Sequence, residues 1–145
     1  MLTHTKTRRH EDGVPRELEE LAKIAVDCGF RLHKEIGPGL LESVYEVLLA
    51  ESLKEAGLEV ARQVPVPIKF KGIVVDNAFR ADLLVERRLL LELKSTERTA
   101  QVHAKQVLTY LRLMDLPLGL LMNFGQSTFK GGLQRVANNY FGKIG

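Results

Sequence analysis

At 145 residues, 45% hydrophobic and 27% charged, the chain suits one soluble globular domain with one core. Its one cysteine, Cys28, excludes an internal disulfide framework and a cysteine-based zinc finger, and no apolar run is long enough to span a bilayer. The net charge of +3 is unevenly spread: residues 1–85 carry 12 basic and 14 acidic side chains, residues 86–145 carry 9 and 4, and no acidic residue follows Asp115. A basic half attracts phosphates through counterion release, but the same charges also serve simply to keep a surface hydrated.

Residues 1–14 hold charges and histidines without an apolar stretch, and read as a flexible tail rather than a secretory signal. A reducing, cytoplasmic setting without membrane contact is the expectation. Pro15 fits the first turn of a helix. Leu18, Leu21, Ala25, Cys28 and Leu32, with Ile24 alongside, recur at helical spacing. This helix is expected to end near Lys34, because Gly37-Pro38-Gly39 cannot continue it. A second helix is expected over residues 40–56, with Leu41, Tyr45, Leu48 and Leu49 on its apolar side and Gly57 as its stop.

The pattern then changes to extended chain. Val60, Val64, Val66, Ile68 and Phe70 alternate as a strand requires, while Pro65 and Pro67 withhold donors and place it partly at an edge. Lys71-Gly72 reads as a turn into a short return strand over residues 73–75. Strands over residues 79–85 and 89–94 follow, joined by Glu86-Arg87-Arg88, which lacks the Asn-Gly signal of a tight hairpin. A third helix is expected over residues 100–114, and a very apolar strand over residues 116–124, broken at Gly125. Beyond it, Val136 and Phe141 are the side chains expected to reach the core. The order defines an α/β domain with a mixed sheet.

Three groups of residues carry chemistry. Glu92 and Lys94 alternate with Leu91 and Leu93, so a carboxylate and an ammonium share one face of a leucine-rich strand. Burying them costs several kcal/mol unless they are paired or bind something. Folding the hairpin about Arg87 sets Asp82 opposite Glu92, where the two side chains stand roughly 5 Å apart at the base. Carboxylates that close repel each other, and a divalent cation relieves the repulsion. The competing reading is an exposed Glu92–Lys94 ion pair, with Asp82 bound to Arg80. The second group is Gly39-Leu40-Leu41-Glu42-Ser43-Val44-Tyr45. Glu42 falls in a helix's first turn, where it also offsets the positive helix end, and Tyr45 also suits plain core. The third is His103, Gln106 and Tyr110, on one side of the third helix beside the buried Val107, Leu108 and Leu111. It reads as an ordinary polar border, or with His103 as a hydrogen-bond donor to a phosphate or carboxylate.

Gly39, Glu42 and Tyr45 reproduce the motif that names the GxxExxY proteins. Phe79-Arg80-Ala81-Asp82-Leu83-Leu84-Val85, Leu91-Glu92-Leu93-Lys94 and Gln106-x-x-x-Tyr110 resemble the family's further landmarks. The last is also similar to the helix motif of RecB-type nucleases. The family belongs to the PD-(D/E)XK nuclease-like superfamily, and the resemblance runs from about Pro15 to Gly132. Ala81 stands where the superfamily name has proline. The resemblance implies a restriction-endonuclease-like domain over residues 15–145, with a mixed sheet of about four or five strands flanked by helices. It implies a metal-dependent nuclease hydrolysing phosphodiester bonds of nucleic acid, most of all DNA. Asp82, Glu92 and the backbone carbonyl of Leu93 would bind Mg²⁺, for which Mn²⁺ substitutes, and Lys94 would hold or deprotonate the attacking water. Glu42 would reach the same cleft toward a second cation or its water. Gln106 and Tyr110 would orient Lys94 or the substrate backbone. The alternative is a catalytically silent nuclease-fold module that binds nucleic acid or a protein partner. A homodimer through the edge strand around residues 64–70, or through the apolar C-terminal segment, is a further expectation.

Overall fold

The apolar stripe of the first helix is buried as its spacing requires. In α1 (Leu18–Ile36), Leu18, Leu21, Ala25, Cys28 and Leu32 all face the core. The computed structural model describes residues 16–141, and the tail expected over 1–14 lies outside them. α1 runs past Lys34 to Ile36, because its stop is Gly37 alone: at φ +81 this residue leaves the helical region, and its N–H bonds the His33 carbonyl. α2 (Glu42–Glu55) starts later than expected. Leu41 is the extended residue before its first turn, and its side chain is 74% exposed instead of lying on the apolar side.

Five strands form one sheet in the order β1 (Val60–Phe70), β2 (Ile73–Val85), β3 (Leu89–Lys94), β4 (Leu118–Asn123) and β5 (Leu133–Ala137). All neighbours are antiparallel except β3 and β4, which run parallel because α3 (Gln101–Met114) carries the chain back between them. The proline-bearing β1 is an edge strand, as its missing donors demand. The return strand over 73–75 and the strand over 79–85 are one continuous β2. Val66 faces Phe79 but Ile68 faces Val75, so residues 76–78 form a bulge opposite Pro67. Proline has no N–H to give, so the bulge there costs the ladder little.

Alternation sorts the buried side chains into two layers. Leu89, Leu91 and Leu93, with Leu118, Leu120 and Met122, face α1 and α2, whereas Leu90 and Leu121 face Val107 and Leu111 of α3. Both central strands are thus covered on both sides, which explains their near-continuous leucine. The short α4 (Phe129–Gly132) and β5 are not foreseen from the sequence. β5 spans only five residues, Leu-Gln-Arg-Val-Ala, without the regular alternation that marks a strand. Val136 packs in the α3-side layer, but Phe141 is 94% exposed and does not reach the core, since it follows β5 beyond the end of the sheet. No helix among the described residues is long and apolar enough to cross a membrane.

Candidate active site

The hairpin between β2 and β3 pairs Leu83 with Leu91, Leu84 with Leu90 and Val85 with Leu89, a register symmetric about Arg87. Glu86 and Arg87 both sit at positive φ, and Arg88 N–H bonds the Val85 carbonyl. This is the backbone of a tight hairpin turn achieved without glycine or asparagine, at about 1 kcal/mol per strained residue.

One step beyond Leu83 and Leu91, side chains replace the ladder. Asp82 N–H donates to Glu92 Oε2 at 2.8 Å, and Leu93 N–H donates to Asp82 Oδ2 at 2.8 Å. Each carboxylate is thereby clamped by the other strand's backbone. β2 also departs from regular alternation here: Ala81 packs with the α3-side layer and Leu83 with the α1 and α2 side. Burial, then the charge of Asp82, pushes the Glu92 carboxyl up to about 8, against its backbone hydrogen bond and the Lys94 ammonium, which favour ionisation. Glu92 is only 5% exposed. Asp82 is likewise raised, first by burial and then by the charges of Glu46 and Glu42, against the Leu93 N–H. The exposed Glu92–Lys94 ion pair and the Asp82–Arg80 pair do not form.

The remaining residues singled out from the sequence differ in their relation to this pair. Lys94 ends β3 half-buried, on the same strand face as Glu92. Glu42 opens α2 in a cleft of about 480 Å³ whose walls include Glu46, Gln63, Asp82 and Ser95. Tyr110 stacks on Phe79 with ring centroids 3.7 Å apart, and its hydroxyl is pushed up by burial and by the charges of Glu92 and Asp82. Gln106 is exposed and is not drawn into the cluster. His103 turns its ring back toward Ala100 N–H at the start of its own helix.

The glycine and tyrosine around Glu42 have clear local work. Gly39 sits at φ +107 with open space around it, so the backbone conformation itself requires glycine. Tyr45 is fully buried, stacks on Phe124 at 4.6 Å, donates to the Gly37 carbonyl at 2.6 Å and accepts from Leu40 N–H at 3.2 Å. The loop that delivers Glu42 is thus pinned to the core, and Ser95, next to Lys94, bonds the Leu40 carbonyl at 2.5 Å.

Three residues at the site escape sequence reasoning. Glu46 is 6% exposed and held by Arg62 Nε at 3.0 Å and Gln63 Nε2 at 2.7 Å. Gln63 also donates to Asp82 Oδ1 at 3.3 Å. Asn123, beside Lys94 in the ladder, accepts from Thr96 and Gly125 N–H and donates to the hydroxyls of Thr96 and Thr99, shaping the loop into α3. The signal for Glu46 was its position four residues after Glu42, on the same helical face.

Among the described residues, no three carboxylate, imidazole or thiolate groups stand close enough to hold a metal ion. The donor set on hand is the Asp82–Glu92 pair and nearby backbone carbonyls. It fits a divalent cation in one respect that can be read from the structure: the charge of Asp82 raises the affinity of the buried Glu92 carboxyl for positive charge, and Glu92 has Oε1 beyond the oxygen its backbone partner uses. Magnesium suits such a sparse set because it retains several of its own waters.

A family model for the PD-(D/E)XK nuclease superfamily matches residues 19–136, and the chain belongs to that superfamily. Its mixed five-stranded sheet flanked by helices is the restriction-endonuclease-like architecture. No curated protein and no solved structure matches the chain.

Proposed function

We propose that this protein is a divalent-metal-dependent nuclease that hydrolyses phosphodiester bonds of DNA, with Mg²⁺ as its cation and Mn²⁺ as a working substitute. The observation that carries the reading is the clamped Asp82–Glu92 pair on adjacent strands, Glu92 buried and Asp82 partly exposed to the cleft, with Lys94 two residues further along β3. Asp82, Glu92 and the Leu93 carbonyl hold the cation. When bound, the cation neutralises charge on the scissile phosphate and makes an attacking water more acidic. Lys94 orients that water. Glu42, across the cleft, offers a carboxylate to a second cation or to water. Tyr110 orients Lys94 or the nucleic-acid backbone, and the exposed Gln106, one turn before it on α3, meets the nucleic-acid backbone. The working unit is residues 15–145, and the cytoplasm is its setting, in keeping with a free, buried Cys28.

The test is cleavage of plasmid and single-stranded DNA in Mg²⁺ or Mn²⁺. Wild type is expected to cleave, and Glu92→Ala and Lys94→Ala each to lose about 100-fold or more. Cleavage that survives both substitutions overturns the assignment. The absence of a third metal-ligating side chain among the described residues favours a second reading, a silent module that binds nucleic acid or a protein partner. Salt-sensitive DNA binding without turnover under any divalent cation separates the two. We also assign a homodimer contact to edge strand β1 and its turn into β2, which leave Phe70, Ile73 and Val75 half or more exposed. Sedimentation velocity tests it, and a concentration-independent monomer removes it.

A further inference from the structure

Gln63 lies directly across from Asp82: the β1–β2 register pairs Arg62 with Leu83 and Val64 with Ala81, which leaves Gln63 and Asp82 facing each other between them. Its backbone is at φ +52, a conformation that costs a residue with a Cβ about 1 kcal/mol or more. Strain of this kind persists where the surrounding structure gains from it. What is gained here is a carboxamide placed between two carboxylates, with Nε2 2.7 Å from Glu46 Oε1 and 3.3 Å from Asp82 Oδ1. An amide nitrogen has two hydrogens, one for each partner. Glu46 is in turn held by Arg62, which anchors the far end of the chain.

The consequence falls on Asp82. Its Oδ2 is fixed by Leu93 N–H and its Oδ1 by Gln63, so the carboxylate plane is held at both oxygens. Each oxygen still has a lone pair left for a cation. We infer that Gln63 is a positioning residue: its strained backbone delivers a neutral double donor that locks the orientation of Asp82 and separates it from the charge of Glu46. The inference rests on the proposed reading of Asp82 as a cation ligand.

The discriminating variant is Gln63→Gly. Glycine relieves the backbone strain but also removes the amide that donates to the buried Glu46, so Tm does not discriminate, and a purely structural role predicts unchanged Mn²⁺ affinity. A positioning role predicts that Mn²⁺ affinity, measured by calorimetry on the full chain, falls about 10- to 100-fold, the range typical of removing a hydrogen bond behind a metal ligand. Gln63→Met, which keeps the length but loses the donors, is expected to show the same loss of affinity. Unchanged Mn²⁺ binding in both variants overturns the inference. A metal-free readout keeps it distinct from the nuclease reading: the Gln63 side-chain amide protons are expected downfield in NMR spectra and to move in Asp82→Ala. If wild type neither binds Mn²⁺ nor cleaves but those protons behave as stated, the nuclease reading fails and the clamp stands. If they are insensitive to Asp82→Ala, the clamp itself fails.

Discussion

Glu92→Gln separates stability from function at one atom pair. Glutamine keeps an oxygen that can accept Asp82 N–H and removes only the charge. In the metal-free protein, burial and the neighbouring Asp82 raise the Glu92 carboxyl from 4.5 to about 8. At about 1.4 kcal/mol per pH unit, that corresponds to a penalty on the order of 5 kcal/mol for ionising it in the fold, a ceiling that water entry and local relaxation reduce. Because the folded-state pKa lies above the unfolded one, the folded state holds the extra proton. The penalty is therefore absent below about pH 4.5, grows as pH rises to about 8, and is constant above that. Urea unfolding of wild type and Glu92→Gln in chelator at pH 5, 7 and 9 isolates the effect, since all other carboxylates are common to both. The variant is expected to match wild type near pH 5 and to exceed it by several kcal/mol at pH 9, while losing cleavage. Mn²⁺ at pH 9 is expected to narrow the gap by stabilising wild type alone. Parallel stability profiles across this range refute the reasoning.

Gly125→Ala places a Cβ 2.3 Å from the Thr96 carbonyl oxygen and 2.4 Å from its nitrogen, both backbone atoms of the loop after Lys94. It is expected to cost about 3 kcal/mol or more in denaturant midpoints and to impair cleavage, and a cost under about 0.5 kcal/mol means that the loop yields freely. Tyr45→Phe loses the hydroxyl that joins Gly37 to Leu40 and is expected to cost about 1–2 kcal/mol. Faster amide exchange at Leu40, with Leu49 unchanged, is the signature of a loosened loop rather than a loosened core.

The parts of the fold that were legible in the sequence are those set by local periodicity. The α1 stripe of Leu18, Leu21, Ala25, Cys28 and Leu32 is buried as read, and the prolines of β1 mark an edge. The meeting of Asp82 and Glu92 was legible too, because a hairpin's register follows from its centre of symmetry. Where local cues are weak, the sequence and the structure part. Residues 73–85 look like two strands in the sequence because a bulge leaves no apolar mark, and β5 does not stand out because five half-polar residues resemble a loop.

Glu46 and Gln63 show the deeper division. By itself the chain determined which residues alternate, which recur at helical spacing and which two acidic groups a tight turn must bring face to face, since these follow from backbone geometry over a few residues. Only the packed structure decided that Glu46 lies buried against Arg62 and Gln63, that Gln63 reaches Asp82, and that Glu92 holds its proton to about pH 8. Desolvation and charge–charge repulsion depend on what surrounds a group in three dimensions, and α2, β1 and β3 surround these carboxylates only after residues dozens of positions apart have come together.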